Sequence, residues 1–157
     1  MRPGVRLGVD VGKVRIGVAR SDPHGILATP VATVARGEGD MAELVGIIGQ
    51  FDAVEVIVGL PLALSGAVTA STNDATGFAD RLAVSSPIPV RLVDERLSTV
   101  SAQRALRLSG RTSRNSRPVI DQVAAVIILQ HALDFERSAG TPPGALVHPD
   151  EGSLRGR

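Results

Sequence analysis

The sequence predicts an α/β fold built on a mixed five-stranded sheet, three antiparallel strands followed by parallel ones, with helices on both faces. Two short apolar runs, VRLGVD (residues 5–10) and RIGVAR (15–20), flank a tight Gly12-Lys13 turn, and a third, TPVATVAR (29–36), follows closely. That is the pattern of an antiparallel meander. Two later runs, VEVIVG (54–59) and IPVRLVD (88–94), are continuous rather than alternating, as in strands buried on both faces. Helical segments precede each of these and follow the last, giving the order β-β-β-α-β-α-β-α-α.

Each element has local support. Pro30 stands near the start of the third run, where a ladder tolerates a missing N–H. Asp40 is placed to cap a helix over 41–51, with Glu43 three positions on as in a capping box. Residues 62–84 open as a loop, LALSGAVT, and turn helical towards ATGFADRLA. Ser98 or Thr99 is placed to cap a helix to about Ser109, which Gly110 stops. RTSRNSR (111–117) reads as a polar, basic loop, and Pro118 suits the first turn of a long helix over 118–136. One domain over 1–137 is expected, with 138–157, which carries TPPG and scattered charges, as a flexible C-terminal tail.

Composition narrows the chemistry. Apolar stretches fall short of the roughly 20 residues a membrane helix needs, and a cytoplasmic protein is expected. The absence of cysteine excludes disulfides, thiolate catalysis and thiolate zinc sites. The net charge of +1 says little, but from Arg91 to Arg117 seven arginines face two acids. Guanidinium groups grip phosphate oxygens in pairs, although a solvated basic face accounts for the same run. Aromatic residues are 2% of the chain, so a nucleic-acid ligand would be held by backbone and shape rather than by stacked bases. The histidines His24, His131 and His148 form no ligand spacing.

Three acids stand out. Asp10 lies inside an apolar strand, where an unpaired carboxylate tends to take up a proton unless a cation sits beside it; a bond to the turn amides of Val11 and Gly12 is the structural alternative. Asp94 and Glu95, in VDERLST, end a buried strand at the carboxyl edge where open α/β sheets bind ligands, or else form a local pair with Arg96. Asp121 falls in the first turns of a helix, which the macrodipole favours, and Ala125, Ile128 and Ala132 continue its face. Carboxylates converging on Mg²⁺ or Mn²⁺ are what metal-assisted phosphodiester hydrolysis requires.

In order and at compatible spacing, GVDVGKVRIGVARSD, VIVGLPLALSG, VDERLST and IDQVAAVIILQ resemble the YqgF/RuvX family of pre-16S rRNA nucleases and Holliday junction resolvases, whose members have a ribonuclease H-like fold. The match covers about residues 5–136. The resemblance implies that Asp10, Glu95 and Asp121 are the catalytic, metal-binding acids. It places Lys13 and Arg15 near the site in the hairpin, Arg96, Ser98 and Thr99 beside the second acid, and Arg117 as a further basic contact. Arg104 and Arg107 complete the expected nucleic-acid contacts. Two departures are visible: the loop after VGLP is Leu62-Ala63-Leu64-Ser65-Gly66 rather than polar, and the second acid comes from the fifth strand, whereas in related resolvases it ends the fourth.

The expected activity is metal-dependent endonucleolytic hydrolysis of structured nucleic acid, in pre-16S rRNA 5′-end processing or Holliday junction resolution, by a monomer or a homodimer. The alternative is a non-catalytic nucleic-acid-binding module of the same fold. An ATP-dependent phosphotransferase fits poorly, because the chain is short for two lobes and Gly12-Lys13-Val14 lacks the Ser/Thr of a P-loop.

Overall fold

The computed structural model describes residues 1–97 and 117–148, with side chains for 1–96 and 122–148. Strands β1 (Arg6–Val11), β2 (Arg15–Ser21) and β3 (Ala28–Ala35) form the expected meander. Helix α1 (Asp40–Gln50), strand β4 (Glu55–Leu60), helix α2 (Ala70–Ser85) and strand β5 (Val90–Asp94) follow. A 3₁₀ turn (Glu95–Leu97), helix α3 (Arg117–Ala139) and a short strand β6 (Ala145–Leu146) complete the described elements. The sheet order is β3-β2-β1-β4-β5-β6, with β4 parallel to β1 and β5 parallel to β4.

Among the described residues the sheet has six strands where five were expected. Residues assigned to a flexible tail return to it: β6 pairs antiparallel with β5, and the Val147 N–H donates to the Val90 carbonyl at 2.8 Å. A two-residue strand has no periodicity to read, which is why the sequence hides it. The start of α1 also differs. Gly39, at φ +91°, takes the cap position without a side-chain bond, and Asp40 is the first helical residue. Its carboxylate instead accepts from the Gly37 N–H at 3.1 Å. Helix α2 begins earlier than its apolar pattern, because Thr69 and Thr72 form a reciprocal capping box.

Each face of the sheet carries its own core. On one, Leu7, Val9, Val11, Ile16, Val18, Val56 and Val58 pack against Leu44, Ile47 and Ile48 of α1 and Phe78, Ala79 and Leu82 of α2. On the other, Ala19, Ala28, Ile57 and Val93 meet Ala124, Ala125, Ile128, Leu129, Ala132 and Leu133 of α3. Each fully buried aliphatic side chain is worth roughly 1.5–3 kcal/mol. Helix α3 lies unusually close to β1: a Cβ on Gly8 would stand 2.6 Å from Leu129 Cβ and 2.9 Å from the Ala125 carbonyl oxygen.

The amino end of the sheet is tied by an ion cluster in which exposed Arg2 bridges the buried carboxylates of Glu55 and Glu136. Arg2 Nη2 donates to Glu136 Oε1 at 2.7 Å and to Glu55 Oε1 at 2.9 Å, and Arg91 Nε donates to Glu55 Oε2 at 2.7 Å. Arg6 lies between the two carboxylates with its Nη1 on the carbonyls of Arg2 and Gly4. The bond from Arg2 holds the Glu136 carboxyl down at about 2. The end of α3 is thereby fastened to β4 and β5, which sets how far its beginning reaches over the opposite edge.

Candidate active site

At the carboxyl edge, β1 and β4 register Val9 against Val58. Asp10 and Gly59, the next residues along, therefore stand side by side at the usual strand spacing of about 4.8 Å. On its other side Asp10 pairs with Gly17 of β2. Side chains alternate along a strand, and the Cβ direction at Gly8 points into α3, so Asp10 faces α3 as well. It is 1% exposed. Glycines on both sides leave this carboxylate room where a central strand would ordinarily present hydrocarbon.

Glu95 begins the 3₁₀ turn after β5 and is 4% exposed. Its Oε1 lies 2.6 Å from the position a Cβ on Gly59 would occupy, and Ile128 Cδ1 of α3 lies equally near that position. Glu95 therefore reaches back across the end of β4, on the α3 face, towards Asp10. This resolves the departure seen in the sequence: the acid starts from the fifth strand, yet its carboxylate sits over the end of the fourth. Gly59 makes that possible.

Helix α3 runs antiparallel to β1, since its late residue Glu136 is held at the amino edge by Arg2, which also bonds Glu55 of β4. Asp121 precedes Ala125 by four residues, about 6 Å of helix rise, and Asp10 follows Gly8 by two, about 6.6 Å of strand. Gly8 faces Leu129 and the Ala125 carbonyl, so the first turns of α3, where Asp121 lies, continue past Gly8 towards the edge at which Asp10 stands. Gln122 agrees: its Nε2 donates to Thr33 Oγ1 at 3.0 Å, and Thr33 registers with Gly17, the partner of Asp10.

Asp94 and Glu95 separate in role. Asp94 is locked to Arg96, whose Nε and Nη2 reach its carboxylate at 3.0 and 2.7 Å and whose backbone N–H adds a third contact at 2.9 Å. The guanidinium bond holds the Asp94 carboxyl below its ordinary range. Arg96 Nη1 also donates to the Leu64 carbonyl at 3.3 Å, pinning the loop between β4 and α2. Lys13 is exposed at the β1–β2 turn and Arg15, half-buried, opens β2. Ser98, Thr99, Arg104 and Arg107 lie outside the described residues, and Arg117 is the first residue of α3. Sequence reasoning missed Gly8, Gly17 and Gly59 as makers of the site, although all three stood inside the quoted blocks.

Asp10 and Glu95 give this face of the sheet two buried carboxylates. Their hard oxygen donors suit Mg²⁺ or Mn²⁺. In class, then, this is a ribonuclease H-like α/β fold with paired acids at the carboxyl edge of its sheet. T. thermophilus RuvC, in a complex with Holliday junction substrate, shares the fold, with a TM-score of 0.55 at 18% identity over 88% of this chain and 99% of that one.

The family model described as RuvX, Holliday junction resolvase, matches residues 4–135, and the chain belongs to that family. A protein of Clavibacter michiganensis subsp. michiganensis named "Putative pre-16S rRNA nuclease" is 68% identical over 150 residues, covering 94% of this chain and 93% of the relative. One of the same name from Leifsonia xyli subsp. xyli is 62% identical over 152 residues, covering 95% and 97%. No helix among the described residues is long and apolar enough to cross a membrane.

Proposed function

We propose that this protein is a metal-dependent endonuclease that hydrolyses phosphodiester bonds in structured nucleic acid, with the 5′ end of pre-16S rRNA and four-way DNA junctions as its two candidate substrates in the cytoplasm. The observation that carries the proposal is the carboxylate of Glu95 lying over Gly59, beside the strand position of Asp10, on the face covered by α3. Asp10, Glu95 and Asp121 would hold Mg²⁺ or Mn²⁺, which supplies a nucleophilic water at neutral pH and stabilisation of the leaving oxygen.

The chain's own residues do the rest. The glycines beside Asp10, Gly17 and Gly59, leave room at its carboxylate for a phosphate. Arg15, on the hairpin that carries Asp10, opposes the phosphate's negative charge as it gathers in the transition state. Arg96 is engaged by Asp94 and by the Leu64 carbonyl, so its part is to hold the 61–69 loop beside Glu95. A junction has two-fold symmetry and calls for a dimer, whereas trimming an rRNA end does not.

The test is cleavage by wild type and Asp10→Asn of a four-way junction, a pre-16S rRNA 5′ leader and a plain duplex, each with Mg²⁺ and with Mn²⁺. Wild type cuts one structured substrate in preference to the duplex, and Asp10→Asn keeps its fold but loses turnover by at least about 10³-fold. Turnover retained by folded Asp10→Asn protein refutes the proposal. Binding without cleavage by wild type favours the non-catalytic module instead.

A further inference from the structure

On the opposite face of the same sheet edge, Lys13, Arg36, Ala70, Ser71 and Asp74 line a cleft of about 340 Å³. It opens between the β1–β2 turn and the first turn of α2, three residues along the chain from Asp10. Its frame is tightly bonded. Arg36 Nη1 donates to the Gly12 carbonyl at 2.9 Å and to Asp74 Oδ2 at 2.8 Å, while Nη2 donates to Asp74 Oδ1 at 3.0 Å. The Arg36 backbone N–H holds the Val14 carbonyl at 2.9 Å, and its guanidinium lies over the Phe78 ring, 5.3 Å from the centroid. A single arginine thus straps the hairpin turn to α2.

This pairing decides the charge of the cleft. Asp74 is bonded to Arg36, and Lys13 acts on the same carboxylate from farther off, so two cations face one acid and the lining carries a net positive charge. Ser71 adds a hydroxyl, and the first turn of α2 has no acidic residue. Thr69 engages the Thr72 and Asn73 N–H groups, and the Ala70 and Ser71 N–H groups precede these in the turn, where helical amides lack intrahelical acceptors. A lysine, a hydroxyl and helix-start amides around a pocket large enough for a phosphate and its sugar suit one anion chemistry, the phosphodiester.

We infer that this cleft is a second backbone-phosphate subsite, which rests on the nuclease assignment above. Lys13 and Ser71 contact the phosphate, and the Arg36–Asp74 pair is the strut that fixes the subsite relative to Asp10. A strand whose scissile phosphate lies on the α3 face crosses the sheet edge at the β1–β2 turn and delivers a neighbouring phosphate here. The sole lysine of the chain stands at that crossing.

The test is a double-mutant cycle of Lys13→Gln and Ser71→Asp, read as KM for cleavage and as affinity for fluorescein-labelled four-way DNA junction and RNA leader over a KCl series. Ser71→Asp puts a carboxylate where the phosphate would sit, while an acid in the first turn of a helix favours the fold. The expected result is a five- to ten-fold rise in KM and dissociation constant with an unchanged or higher melting temperature. The slope of log affinity against log salt falls by about 0.7–0.9, and the two substitutions together cost less than the product of their separate effects. Wild-type KM and salt slope in Ser71→Asp, or fully multiplicative effects, overturn the subsite while leaving the nuclease assignment standing. Wild type that neither binds nor cleaves either probe refutes both.

Discussion

Gly59→Ala isolates the feature on which the site depends. The backbone at Gly59 is not in the left-handed region, so alanine meets no conformational penalty there, and the whole effect comes from one added methyl group. That methyl would lie 2.6 Å from Glu95 Oε1, 2.6 Å from Ile128 Cδ1 and 3.1 Å from Glu95 Cγ, against 3.4 Å for ordinary contact. The carboxylate must therefore retreat by about 0.8 Å, and misplacement on the order of 1 Å costs up to about 10²-fold in rate. Both clashing atoms are far ends of rotatable side chains, so the fold absorbs the change at about 1–3 kcal/mol. Single-turnover cleavage with Mn²⁺, beside a thermal melt, should show a rate lowered roughly 30- to 100-fold in a folded protein. A folded Gly59→Ala protein cleaving within about threefold of wild type would show that Glu95 need not stand over β4, and the reasoning about the second acid would fail.

Two further predictions concern stability. Gly8→Ala places a methyl 2.6 Å from Leu129 Cβ and 2.9 Å from the Ala125 carbonyl oxygen, which belongs to the backbone; α3 must shift, at about 1–3 kcal/mol, lowering the melting temperature by roughly 2–12 °C, and an unchanged melt would contradict the close helix–strand contact. The Glu136 carboxyl, ordinarily at 4.5, is held at about 2 in the folded protein by Arg2, so its contribution is complete above the unfolded value and drains away as pH falls from about 4.5 to about 2. Glu136→Gln should therefore melt lower than wild type at neutral pH and show a shallower loss of stability over that acid range; parallel pH profiles would remove the ion cluster as its cause.

Much of the architecture was legible because it obeys local rules. The meander announced itself through alternating runs around Gly12-Lys13, the parallel strands through continuous apolar runs, and α3 through Pro118 and the long apolar stretch that follows. What escaped was set by residues distant in sequence. Glu95 reaches its place only because the strand order puts β4 between β1 and β5 and because Gly59 offers no side chain. The ion cluster joins Arg2 to Glu136 across 134 positions, beyond any local pattern. Asp40 looked like a cap, but the chain enters α1 through a left-handed Gly39, a backbone choice that capping statistics do not weigh. The Arg36–Asp74 strut was likewise silent, since neither residue stood in a recognised block.

Asp94 shows the opposite case. The local pairing with Arg96 weighed from the sequence is what this residue forms, while its neighbour Glu95 turns over Gly59. One residue of offset in a 3₁₀ turn separates a structural acid from a candidate catalytic one.

The most direct measurement is calorimetric titration of Mn²⁺ into wild type, Asp10→Asn and Glu95→Gln. If Asp10 and Glu95 share one cation, wild type binds Mn²⁺ and each substitution alone weakens that binding at least about tenfold, with both variants folded. Equal affinity in all three proteins would mean that no ion bridges the two carboxylates, and the account of this sheet edge as a hydrolytic centre would be wrong.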